Sequence, residues 1–168
     1  MAAREVLRTE RLVLRELLAE DAPFMLELMN EPGFLKHIGD RGVRSLADAE
    51  EQISRQLQSY AERGYGMWAA VRSDVGPVGL AGLVRREGLD HPDVGYALLS
   101  AFEGHGYATE AARAVLQLAR ERLGMTTVAA ITSLDNRASI AVLERIGFRF
   151  IGIRRLPGKD ERLRYFEA

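Results

Sequence analysis

The chain of 168 residues contains no cysteine. Disulfides, thiolate metal sites and any mechanism in which a cysteine carries an acyl group are therefore excluded. Histidine is nearly as scarce: the three, at positions 37, 91 and 105, share no metal-ligand spacing, and no metal is expected. No apolar run approaches the roughly 18 residues that a membrane span needs, and the first residues lack a signal-peptide pattern, so a cytoplasmic protein without a membrane partner is expected. An excess of one charge is also missing. The formal net charge is -1 and the arginines are scattered, which points to no nucleic-acid partner. Arg4, Arg8, Arg11 and Arg15 read as a solvated strand face rather than an electrostatic patch. The length fits one domain, residues 1–168, with a sizeable core.

What the sequence does contain is a turn, Glu103-Gly104-His105-Gly106-Tyr107-Ala108-Thr109-Glu110-Ala111, between an apolar run at 94–99 and an alanine-rich helix. Glycine lets the main chain come close to a ligand, and the first helical N–H groups have no intrahelical partner. The macrodipole adds roughly half a positive charge there, so the turn can cradle a phosphate. Two glycines at a strand-to-helix turn are also common for steric reasons alone. No Lys-Ser/Thr pair follows, which disfavours a nucleotide-dependent phosphotransferase.

Around this turn the pattern gives a sequence of elements. Residues 11–16 read as a strand, with Leu12 and Leu14 on one face, and a first helix carries Phe24, Met25, Leu28 and Met29 before stopping near 30–33. The segment 34–39 reads as an unusually apolar loop, packed on the core or walling a substrate pocket. Ser45 and Asp48 resemble a capping box, and Ala49, Ile53, Leu57 and Tyr60 follow at helical spacing to about Glu62. Residues 67–71 and 78–84 then alternate as an antiparallel hairpin. Next come the strand at 93–99, the helix at 107–123, a buried strand at 128–131 and a helix that Asn136 opens and Gly147 closes. Strands at 148–153 and 163–166 end the chain. One mixed α/β sheet with helices on both faces satisfies this order.

In these segments the chain resembles the GNAT superfamily of acetyl-coenzyme A-dependent N-acetyltransferases, in the branch of the ribosomal-protein N-terminal alanine acetyltransferases. Arg11-Leu12-Val13-Leu14-Arg15 with Ala19-Glu20-Asp21-Ala22 is similar to that branch's opening, and Asn30-Glu31-Pro32 through His37-Ile38-Gly39 to its next loop. Asp93-Val94-Gly95-Tyr96, the glycine turn, Asn136-Arg137-Ala138-Ser139 and Leu143-Glu144-Arg145-Ile146-Gly147-Phe148 follow in the family's order and spacing. The resemblance implies about seven mostly antiparallel strands with a splayed central parallel pair and four helices. Two positions depart from the pattern: Glu103 stands where Gln or Arg is usual, and His105 where the branch often has Lys or Arg. An imidazole adds less attraction for a phosphate than those cations do.

The resemblance also implies the chemistry. The backbone of Ala97 and Leu98 would hydrogen-bond the pantetheine arm of acetyl-coenzyme A, and the amides of Gly104, His105, Gly106, Tyr107, Ala108 and Thr109 would hold its diphosphate. Asn136 would face the cofactor, although an ordinary N-cap explains it equally well. Many relatives place a proton-donating Tyr at the position of Leu143, which cannot donate. Ser139 would then protonate the departing thiolate, unless it only bonds its own helix. A neutral amine must attack, so a base is needed; Asp93 is the first candidate, against a plain strand-start residue, with His91 next and Glu31 and His37 behind. With no cysteine, direct transfer in a ternary complex to a primary amine, a protein N-terminus or a small molecule, is the expected reaction. A non-catalytic acyl-coenzyme A-binding module is the alternative. If Asp90, Asp93 and Glu161 line the acceptor mouth, a cationic acceptor follows. The assembly is read as a monomer or a homodimer.

Overall fold

The computed structural model describes residues 3–168, and its centre is an eight-stranded sheet. The chain runs β1 (Glu5–Arg8), β2 (Val13–Arg15), α1 (Ala22–Leu28), α2 (Pro32–His37), α3 (Leu46–Arg63), β3 (Met67–Arg72), β4 (Gly76–Val84) and β5 (Asp93–Leu98). It continues through α4 (Tyr107–Glu121), β6 (Ala129–Ser133), α5 (Arg137–Arg145), β7 (Arg149–Arg154) and β8 (Leu163–Glu167). The strand order is β1-β2-β3-β4-β5-β6-β8-β7, and every neighbouring pair is antiparallel except β5 with β6.

The expected class is present, with one strand and one helix more than the pattern suggested. Glu5–Arg8 pairs with β2 and makes the eighth strand; only Val6 and Leu7 mark it, too little for an alternation to register. Segment 34–39 is not a loop, because residues Pro32–His37 form α2. Proline in the first turn pre-sets the helical φ there, and six residues are too few to display a helical period.

Alternation along β3 assigns the two faces of the sheet. Trp68 and Ala70 enter one buried cluster with Ala112, Val115 and Leu116 of α4 and Leu143 of α5. Met67, Ala69 and Val71 meet the other, with Met25 and Leu28 of α1, Phe34 of α2 and Ile53 of α3. Each fully buried large aliphatic side chain, Leu14 and Leu28 among them, contributes about 1.5–3 kcal/mol through removal from water. Helix α3 starts where Ser45 accepts the Asp48 amide at 3.1 Å and stops at Gly64, whose φ of 79° needs no Cβ. The Asp48 carboxylate accepts the Arg44 amide, so the capping box closes one residue outside its expected partner.

The feature that positions a site lies between β5 and β6. Their ladder contains a single register pair, Asp93 with Ala129, and beyond it the two strands diverge. Among the described residues no helix is long and apolar enough to cross a membrane.

Candidate active site

A cavity of about 1090 Å³ occupies this divergence. The glycine turn closes one end through Gly104, Gly106, Tyr107, Ala108 and Thr109, while Arg41, Arg86 and Asp93 line the other. Residues Asp93–Leu98 of β5 form the floor between them, roughly 17 Å long at the usual strand rise.

Both glycines of the turn adopt conformations that side chains disfavour, with φ of 79° at Gly104 and 83° at Gly106. Gly106 caps α4 without any side-chain hydrogen bond, so no side chain competes for the first helical amides. Arg11 holds the turn from outside. Its Nε donates to Glu110 at 2.7 Å and its terminal nitrogen to the His105 carbonyl at 2.8 Å, and the guanidinium lies over the Tyr107 ring at 4.4 Å. Burial pushes the Glu110 carboxyl up, but bonds from Thr9 and Arg11 outweigh it and hold the group below its ordinary value.

The ladder also decides which backbone groups face the gap. Leu99 donates its amide to Val78 of β4, while Pro92 accepts the Ala129 amide of β6. Strand alternation therefore turns the polar groups of Gly95 and Ala97 toward β4 and those of Tyr96 and Leu98 toward the gap. On the opposite wall, Thr132 of β6 is 5% exposed, lines the cavity and has no hydrogen-bond partner for its hydroxyl. A buried hydroxyl left in that state is unfavourable unless a ligand completes it.

Tyr96 crosses to α5. Its hydroxyl lies 2.6 Å from the Ser139 hydroxyl and within 3.2 Å of the Ser139 carbonyl, and burial pushes its pKa up to about 12, with the Ser139 bond acting the other way. The Asn136 side chain accepts the Ser139 amide at 3.2 Å and also lines the cavity. Asp93 is 1% exposed and receives Arg86 Nε at 3.0 and 3.2 Å on its two oxygens. Burial raises its carboxyl to about 6 against the opposing pull of Arg86. His37 of α2 bridges to Ser133 of β6 at 3.0 Å from Nδ1 to the hydroxyl.

The family model described as "Acetyltransferase (GNAT) domain" matches residues 11–149. The chain belongs to the GNAT acetyltransferase family. This GNAT chain is 25% identical to the uncharacterized N-acetyltransferase YoaA of Bacillus subtilis, over 89% of its length and 86% of the relative's. It is similar to the crystal structure of an acetyltransferase from Agrobacterium tumefaciens, with a TM-score of 0.83, 29% identity and coverage of 100% and 96%. It shares its fold with RimL, the ribosomal L7/L12 alpha-N-protein acetyltransferase solved with coenzyme A, at a TM-score of 0.84, 19% identity and coverage of 98% and 97%.

Most residues that the sequence singled out in this GNAT chain meet at the cavity. Ala97, Leu98, Gly104, Gly106, Tyr107, Ala108, Thr109, Asn136, Ser139, Asp93 and His37 all line it. His105 does not, and it contributes its carbonyl to Arg11. The Ala97 backbone turns away into the ladder with β4, so the gap-facing pair is Tyr96 and Leu98. Glu103 is exposed, lies toward Gly33 and lines the cavity with it. Glu31 binds the Ser100 amide and hydroxyl away from the cavity lining, which also omits His91, Asp90 and Glu161. Of the three carboxylates read as an acidic acceptor mouth, only Asp93 lines the cavity, beside Arg41, Arg85 and Arg86. Arg15 is not part of a solvated face, since it is half-buried and pairs with the buried Asp21, whereas Arg11 is exposed and pairs with Glu110. Tyr96 was missed; an aromatic at an inward strand position gives no sign of a hydroxyl partner forty-three residues away.

Proposed function

We propose that this chain transfers an acetyl group from acetyl-coenzyme A to a primary amine, in a ternary complex without a covalent enzyme intermediate. The observation that carries this reading is the divergence of β5 and β6 after Asp93 and Ala129, which joins the glycine turn to a buried carboxylate through one cavity. The residues present fit the coenzyme: the open amides at 104–109 suit a diphosphate, the gap-facing backbone of Tyr96 and Leu98 suits an extended amide chain, and the unpartnered Thr132 hydroxyl awaits a polar group. RimL, with the same fold, was solved with coenzyme A.

Acetyl-coenzyme A supplies the acyl group already activated as a thioester. The chain's own residues orient it and manage protons. Asp93, ionised above about pH 6, takes a proton from the incoming ammonium and so frees the lone pair that attacks. A gap-facing amide of Tyr96 or Leu98 polarises the carbonyl. After attack the nitrogen sheds its second proton to solvent, Ser139 gives a proton to the leaving sulfur, and a solvent proton passing through Tyr96 along their shared hydrogen bond restores the Ser139 hydroxyl. Asn136 fixes the start of α5, and hence Ser139.

Calorimetry with acetyl-coenzyme A, followed by thiol release against a panel of amines, tests the assignment. Binding together with amine-dependent thiol release is expected. No heat at millimolar acetyl-coenzyme A would overturn it, and binding without turnover of any amine would support the non-catalytic alternative.

A further inference from the structure

The cavity carries hydrogen-bond donors suited to anions at both ends, and one coenzyme diphosphate would use only one of them. At the glycine turn the donors are backbone amides, and they suit a diphosphate. Roughly 17 Å away along β5, the donors are guanidinium groups that this use leaves free.

Arg41 and Arg86 both line that remote end, and the charge of Arg86 acts on Arg41. Arg86 reaches Asp93 through Nε alone, so among the described residues its two terminal nitrogens make no hydrogen bond. No carboxylate among the described residues lies within ion-pair range of Arg41. Arg41 is exposed as a residue yet lines the cavity, and burial first and Arg86 second lower its pKa. Arg85 adds a third cation to the lining, with only the Asp90 carbonyl as hydrogen-bond partner among the described residues. Asp93 neutralises one of these three charges. Two like charges drawn together at a partly desolvated wall are unfavourable in isolation and favourable around an anion, and the planar guanidinium fork matches a carboxylate in two-point geometry.

We propose that the amine acceptor carries a carboxylate, which Arg41 and the free terminal nitrogens of Arg86 grip while its amine is presented to Asp93. This rests on the acetyl-transfer reading and names the class of acceptor for it. The carboxylate has two sources, a free acidic amino acid or an acidic side chain close to a peptide N-terminus.

Binding to the full-length protein with coenzyme A present separates these sources and tests the inference without any turnover. Glutamate is compared with glutamine amide, which carries no carboxylate, and the dipeptide Ala-Glu, amidated at its C-terminus, with amidated Ala-Gln. At least one acidic member is expected to bind tenfold or more tighter than its amide. Arg41→Gln is expected to bring that ratio close to one, and Arg41→Lys to restore part of it. Equal affinities within both pairs, or a ratio that survives Arg41→Gln with the fold intact by circular dichroism, overturns the inference. Arg41-dependent binding of the acid with no acetylation of any amine would refute acetyl transfer and leave the anion pole standing. Neutral amines acetylated as fast as acidic ones would leave acetyl transfer standing and refute the acidic acceptor.

Discussion

Tyr96 and Ser139 meet hydroxyl to hydroxyl at 2.6 Å, one carried by the central strand β5 and the other by the first turn of α5. The contact ties the strand beside the cavity to the helix that Asn136 caps. It also gives the chain a phenol near the position where the Leu143 side chain offers no proton.

If these hydroxyls share one proton path, Tyr96→Phe and Ser139→Ala should each lower kcat about 10- to 100-fold while leaving acetyl-coenzyme A affinity within about threefold. The double variant should be little worse than the weaker single one. Steady-state kinetics on all four proteins checks this, and losses that multiply would mean the two groups act independently.

Arg11 should matter to the coenzyme without touching it. Arg11→Ala removes the Glu110 ion pair, the bond to the His105 carbonyl and the cation contact on Tyr107, together worth about 1–2 kcal/mol at this partly exposed site. A several-fold rise in the KM for acetyl-coenzyme A and a Tm drop of about 2–8 °C are expected, read by kinetics and thermal melting. Because Glu110 is held below its ordinary value of 4.5, this stabilisation is complete above that value and fades as pH falls through the lowered one.

Asp93 should give the pH profile its acid limb. Its carboxyl is raised from 3.8 to about 6, so kcat/KM for the amine should climb through about pH 6, and Asp93→Asn should abolish that limb and cost about 100-fold or more. The sign for stability is the reverse of an ordinary ion pair. The folded state holds the proton more tightly than the unfolded one, so stability falls as pH rises from about 4 to 6. Asp93→Asn should gain on the wild type across that window by roughly 3 kcal/mol, measured by denaturant unfolding at each pH.

Two glycines should respond in opposite directions to alanine. At Gly82 an added Cβ would sit 2.0 Å from the Gly66 carbonyl oxygen and 2.8 Å from Met67 Cα, so β3 and β4 must separate at a cost of about 1–3 kcal/mol. At Gly33, inside α2, the nearest atom is 3.9 Å away, so Gly33→Ala should be neutral or stabilise by about 0.5–1 kcal/mol. Unfolding curves of the two variants decide the matter.

Local patterning was enough for much of this molecule. The alternation at 67–71, the alanine-lined helix face at 107–121, Ser45 before α3 and the glycine turn before α4 each act within a few residues, so the strands, the long helices and the turn that opens α4 were legible in the chain itself. Short elements escaped, because β1 offers two apolar positions and α2 six residues, fewer than a period needs to declare itself. What the sequence alone could not determine are relations across the sheet. The single register pair of Asp93 with Ala129 is set by how β5 and β6 pack and twist, and it alone opens the cavity. The same packing turned Leu98 rather than Ala97 toward the gap, brought Tyr96 to Ser139, and set Arg41 and Arg86 with Asp93 on the lining of one cavity. Those contacts join residues tens of positions apart, where side-chain periodicity carries no information and only the folded chain brings the charges together.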